Sequence, residues 1–200
     1  MLFRSEKKVH ETILEVNLDA IIHNYNYFRS KLHPYTKMVC MVKAFGYGAG
    51  SYEIAKTLQE HCCDYLAVAV ADEGEELRKE GISIPIMVMN PEFSCLNKLF
   101  EFQLEPEVYN FRLLDALIKE TGRRGITGFP IHIKIDTGMH RLGFQPEDIP
   151  TLCNKLKNQK GLQVVSAFSH PVGSDSSEHD NFTRLQIQHY TEAVYELESR

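Results

Sequence analysis

Apolar and polar positions along this chain switch repeatedly between a period of two and a period near 3.6, the patterns of strands and of amphipathic helices. Strand-like runs fall at 12–17, 37–43, 65–70, 84–89, 104–108, 131–136 and 162–169. Helix-like runs lie between them at 18–32, 50–61, 71–80, 93–100, 110–122, 147–159 and 180–199. Asn17 before the first helix, Asp72 near the third and Pro146 ahead of the sixth are residues that cap or open helices. Strands alternating with helices through short connections predict a parallel sheet with helices laid over it. Six such units from residue 37 onward favour a (β/α)8 TIM-type barrel over a doubly wound sheet. No G-x-G-x-x-G follows a strand, so a dinucleotide fold loses its main support.

A barrel of this kind usually takes about 250 residues, and this chain has 200. The expected architecture is an incomplete α/β barrel with about six of its eight units. Tyr190 to Arg200 reads as open helix with no cap, and residues 1–11 read as a linker rather than a natural start. Both ends predict a piece of a longer protein.

Composition narrows the class. The chain is 43% hydrophobic and 24% charged, with a net charge of −5, which argues against a nucleic-acid surface. No apolar stretch is long enough to span a bilayer, and MLFRSEKKVHE lacks the apolar core of a signal peptide. The five cysteines (40, 62, 63, 95, 153) form no CxxC pair, which fits reduced thiols in the cytoplasm and no structural zinc.

Candidate chemistry centres on Lys43, where the β-prone run Val39-Cys40-Met41-Val42 ends and a turn with glycines at 46, 48 and 50 begins. An ammonium at the end of a buried strand is costly, and desolvation favours the neutral amine that attacks a carbonyl. Glycines let the backbone approach a bulky anion, and a helix start follows them. Together they point to a Schiff-base lysine beside a phosphate cradle, the chemistry of pyridoxal 5'-phosphate (PLP). A lysine snorkelling from a strand end accounts for the segment equally well. Tyr47, a phenol inside the turn, is a natural donor to a phosphate oxygen.

The stretch 131–144, IHIKIDTGMHRLGF, places His132, Lys134 and Asp136 on one strand face and three isoleucines on the other. Inside a barrel, polar residues near the C-terminal strand ends read as active-site groups. Arg141, in a glycine-flanked loop, offers a planar fork to a carboxylate or phenolate. The alternative is a buried Lys134–Asp136 ion pair with Arg141 as a surface residue. His170, at the end of the strand 162–169, lies on the same expected rim. His170, His179, Asp175 and Asp180 read better as solvated loop side chains than as a metal cluster.

Taken together, MVKAFGYGAG, LAVAVADEGEELRKEGISIPIMVM, HIKIDTGMHRLGF and SHPVGSD resemble, in order and spacing, the N-terminal PLP-binding barrel of the alanine racemase family. The likeness runs from about residue 12 to the end. It implies that Lys43 holds PLP and serves as a base at the substrate α-carbon, and that Tyr47 binds the cofactor phosphate. It further implies that Arg141 contacts the PLP phenolic oxygen near the substrate carboxylate, that His170 lies beside the ring and that Met89 lines the pocket. Lys134 would carry a carbamate that pairs with Arg141. The resemblance implies interconversion of L- and D-alanine for peptidoglycan precursors by a homodimer, with the second base, a tyrosine, supplied from a C-terminal β-domain of the partner. That domain and the remaining strands lie outside these 200 residues, so the chain alone is expected to racemise poorly. The rival readings are another PLP barrel, a racemase of serine or lysine, an inactive PLP-binding module, and the racemase part of a fusion with the ligase that adds D-alanyl-D-alanine to UDP-N-acetylmuramoyl tripeptide.

Overall fold

The computed structural model describes residues 12–199, so the linker reading of residues 1–11 falls outside it. Helix α1 (Leu18–Ser30) begins where Asn17 Oδ1 accepts the N–H of Ala20 at 3.2 Å. Six strands follow: β1 (Val39–Met41), β2 (Tyr65–Val68), β3 (Ile86–Val88), β4 (Glu105–Val108), β5 (Phe129–Lys134) and β6 (Leu162–Phe168). Between them run α2 (Lys43–Tyr47), α3 (Ser51–Glu60), α4 (Ala71–Lys79), α5 (Leu96–Glu101), α6 (Phe111–Arg124) and α7 (Ile149–Lys157), and α8 (Asp180–Ser199) closes the series. The strands pair in sequence order, β1 to β6, every pair parallel. This is the expected open arrangement of six barrel units, with β1 and β6 at its edges.

One expected strand is absent. Residues 12–17 form no strand, and Ile13 and Leu14 stand 75% and 76% exposed. Alternation marks a face to be covered, but it names no neighbour to hydrogen-bond with. The expected helices at 93–100 and 147–159 open as short 3-10 turns, Phe93–Cys95 and Pro146–Asp148, before becoming α-helical.

The core lies between the outer sheet face and the helices. Leu66, Val68, Ile86, Val88, Ile131 and Ile133 are fully buried there, packed with Leu77, Leu113, Leu114, Leu117 and Leu152. Each such aliphatic side chain contributes about 1.5–3 kcal/mol on burial. Gly74 of α4 has no room for a side chain, because a Cβ would stand 2.8 Å from Leu104 Cδ1. The isoleucines of β5 take the helix side, and the alternate residues His132 and Lys134 therefore face the concave side, as their spacing predicts. That side encloses a cavity of 530 Å³ lined by Met41, Tyr65, Met87, Met89, His132 and Phe168, among others.

Candidate active site

The cavity floor is polar and closed on itself. His132 is 1% exposed and bonds at both nitrogens, to Ser166 Oγ at 2.7 Å and to Glu105 Oε2 at 2.8 Å. The Tyr65 hydroxyl also donates to Glu105 Oε2, at 3.3 Å, and its ring meets His132 edge-on. Four strands are cross-linked by this network. His132 is spent on it, below the rim where chemistry is expected.

Lys43 stands at the C-terminal end of β1. The strand stops at Met41, Val42 N–H still donates to Ala67 O at 2.9 Å, and then the chain leaves the sheet. α2 is one turn of left-handed helix, with Ala44 at φ 52°, Phe45 at φ 54°, Gly46 at φ 60° and Tyr47 at φ 56°. Non-glycine residues pay about 1–2 kcal/mol each for that conformation. Gly46 fits for a second reason: a Cβ there would lie 3.0 Å from Ile54 Cδ1 and 3.2 Å from Ser51 N, so the turn packs directly on the start of α3. Lys43 is half-buried rather than fully desolvated, and its Nζ lies 6.0 Å from the centre of the exposed Tyr47 ring.

Lys134 is 6% exposed at the end of β5, with Nζ 4.2 Å over the Phe168 ring. Burial pushes its amine down; Glu107 opposes this and Arg141 reinforces it. Glu107 is 1% exposed, and its Oε2 has no hydrogen-bond partner. Burial pushes this carboxyl up to about 7 even though Lys134 and Arg141 act the other way. Sequence reading did not single out Glu107; the alternation Glu105, Glu107 within β4 was the available signal.

Asp136 does not pair with Lys134. Its Oδ1 accepts the N–H groups of Gly138 and His140, both at 3.0 Å, and Oδ2 lies 3.3 Å from His140 Nδ1. Burial raises its pKa, but these amides and His140 outweigh that and hold it below the ordinary aspartate value. The loop it organises is pinned shut where Phe144 N–H donates to Lys134 O at 2.8 Å and Asp136 N–H to Phe144 O at 2.9 Å. Arg141 stands exposed on this loop.

His170 follows β6 and is exposed. Partial burial of its ring, then the charges of Lys134 and Arg141, hold its pKa below the usual histidine value. Its carbonyl accepts from Gln186 Nε2 at 3.1 Å, and the same nitrogen donates to Thr137 Oγ1 at 3.1 Å. One buried glutamine of α8 thus fastens both the arginine loop and the histidine loop, a role the sequence pattern of α8 did not reveal. Among the described residues, no group of His, Cys, Asp and Glu could hold a metal, and no helix is long and apolar enough to cross a membrane.

Lys43, Met89, Lys134, Arg141 and His170 all lie at or beyond the C-terminal ends of their strands, and Met89 lines the cavity itself. Two amines, a thioether, an imidazole and a guanidinium thus stand on the C-terminal side of the sheet. Residues 16–200 match the sequence model of the alanine racemase N-terminal domain.

The chain belongs to the alanine racemase family.

It is 32% identical over 195 residues to an alanine racemase of Caldanaerobacter subterraneus, a match that covers 96% of this chain and 50% of that protein. With a protein named amino-acid racemase from Enterococcus faecalis it shares 37% identity over 168 residues, 82% of this chain and 22% of that one. The solved alanine racemase of Clostridium difficile 630, in complex with cycloserine, superposes with a TM-score of 0.86 at 29% identity, covering 92% of this chain and 50% of that structure. This chain thus spans about half the length of the alanine racemase relatives it matches. Family membership bears out the barrel reading of the six parallel strands.

Proposed function

We propose that this chain supplies the PLP-binding half-site of an alanine racemase that interconverts L- and D-alanine in the cytoplasm for peptidoglycan precursors. One observation carries the reading: Lys43 heads a left-handed turn on the same strand-end rim as Arg141 and His170, in a chain of this family.

PLP, when bound, supplies an electron sink that makes the substrate α-hydrogen acidic. The protein's own groups divide the remaining work. Lys43 would hold the cofactor through its amine and would serve as a base that takes or returns the proton at the substrate α-carbon. The Tyr47 hydroxyl donates to the phosphate. Arg141 offers its fork to the phenolic oxygen and the nearby substrate carboxylate. Met89 and His170 confine the ring. Lys134, with an amine depressed by burial, would add CO2 at its neutral nitrogen, release one proton to water and, as a carbamate, give Arg141 a negative partner. A homodimer with a second base on the opposite face completes the exchange of hand.

A racemase of wider or different specificity, for serine or lysine, is the second reading, favoured by the 37% identity to the amino-acid racemase of Enterococcus faecalis. Titration with PLP should produce a visible absorbance band. Borohydride reduction and peptide mapping should then place the adduct on Lys43. An adduct on another lysine sinks the assignment, and comparing alanine, serine and lysine as substrates of the full-length dimer separates the two readings.

A further inference from the structure

The turn that presents Lys43 is held in a conformation that Ala44, Phe45 and Tyr47 do not favour by themselves. Bonds inside it account for part of the hold: Gly46 N–H donates to Val42 O at 3.1 Å, Gly48 N–H to Ala44 O at 3.1 Å and Gly50 N–H to Phe45 O at 2.9 Å. The N–H of Ala44 has no partner within the turn, as for the first amides of any helical turn. A side chain from the next βα unit takes it. Glu73, in the first turn of α4, accepts it on Oε1 at 2.7 Å. The other oxygen of the same carboxylate accepts the N–H of Ala69 at 2.7 Å and that of Val70 at 3.4 Å.

We propose that Glu73 is a positioning residue for Lys43: its carboxylate ties the left-handed turn after β1 to the junction between β2 and α4, and thereby sets where the Lys43 amine stands. Val42 N–H to Ala67 O is the last ladder bond before the chain leaves the sheet. Beyond it, Glu73 takes over the tie to the β2 unit. The two bonds at 2.7 Å, from Ala44 and Ala69, are charge-assisted, so they are shorter and stiffer than amide-to-amide bonds. Two acceptor oxygens facing two sets of amides are needed, which a carboxylate has and a primary amide lacks, since one end of a glutamine is itself a donor. Aspartate is one methylene short. Displacement of a reacting group by about 1 Å can cost two orders of magnitude in rate, so a single tie at the base of the Lys43 side chain has leverage. Insofar as it concerns a bound cofactor, the inference rests on the reading of Lys43 given above.

The test compares the full chain with its E73Q, E73A and E76A variants; Glu76 is exposed on the same helix and serves as the control for lost charge. Amide hydrogen exchange at Ala44 and Ala69 is read without cofactor. PLP is then titrated, trapped with borohydride and mapped. The expected outcome is loss of protection at Ala44 in E73A and a PLP affinity on Lys43 weaker by roughly tenfold, the value of one hydrogen bond to a charged group. E73Q should fall between, and E76A should match the unsubstituted chain. Unchanged Ala44 exchange in E73Q and E73A overturns the proposal, as does an unchanged PLP dependence of Lys43 labelling. If E73A does not fold, the isosteric E73Q decides by the same readouts. If PLP labels a lysine other than Lys43 in the unsubstituted chain, the cofactor reading fails, while Ala44 exchange still judges the tie.

Discussion

Glu107 and Lys134 face the same buried space from adjacent strands, and each moves the other's proton affinity against the effect of its own burial. Neither group has water enough to carry its charge alone. The carboxyl is held near neutrality by desolvation, the amine is depressed by desolvation, and Arg141 acts on both.

Glu107 should therefore make stability depend on pH. Its carboxyl is pushed from the ordinary 4.5 up to about 7 in the folded chain, so it is favoured in its neutral form. It contributes stability that is fully present below about pH 4.5 and is lost as pH rises through about 7. A shift of that size corresponds to about 3 kcal/mol. E107Q, which cannot ionise, should remove this slope, so that variant and parent differ more at pH 8 than at pH 4.5. Urea unfolding at the two pH values measures it, and parallel stability curves would count against a titrating Glu107.

Carbamylation of Lys134 should respond to the same carboxyl. A carbamate forms on a neutral amine and adds a negative charge, so an ionised Glu107 opposes it on both counts. Intact mass in bicarbonate should show one added CO2, mapped to Lys134, with a larger fraction in E107Q than in the parent. No added mass in either protein would show that Lys134 works as a plain amine.

Gln186 should hold the two loops of the rim together. It is 1% exposed, and its amide serves Thr137, His170 and Val172 at 3.1–3.2 Å. Q186L takes this partner from the His170 carbonyl and the Val172 N–H, while the Thr137 hydroxyl keeps Ser169 Oγ at 2.7 Å, and should cost about 1–3 kcal/mol. The His170 resonance should shift with it, because its carbonyl loses its donor. Chemical denaturation and histidine NMR check the two effects separately. A neutral substitution with His170 unmoved would refute the role.

Gly143 should tolerate no side chain. It sits at φ 134°, and a Cβ would lie 2.4 Å from Asp136 N, a backbone atom that cannot swing aside. G143A should destabilise by at least about 2 kcal/mol and loosen the arginine loop. G48A shares the positive φ but meets nothing within 4 Å, and should cost less. Equal losses in the two variants, read by thermal melting, would show that strain alone rather than the close approach decides.

Much of this arrangement is written in local pattern. The period of two placed the isoleucines of β5 on the helix side and Lys134 on the concave side. The alternation of units gave the parallel order, Asn17 capped the helix it precedes, and the glycines marked the turn after Lys43. These features depend on residues close in sequence, so a single strand or helix carries the information. Other features needed the folded chain. Whether Ile13 and Leu14 lie in a strand depends on a neighbouring edge, which their own alternation does not supply. That His132 is consumed by Glu105 and Ser166 while Lys134 remains beside Glu107 depends on strand register, the His132–Ser166 pairing following a shift between Ile131 and His132. The tie from Glu73 to Ala44 and the grip of Gln186 on two loops join residues far apart in the chain. Their worth comes from distance and exclusion of water, and only the tertiary structure sets those.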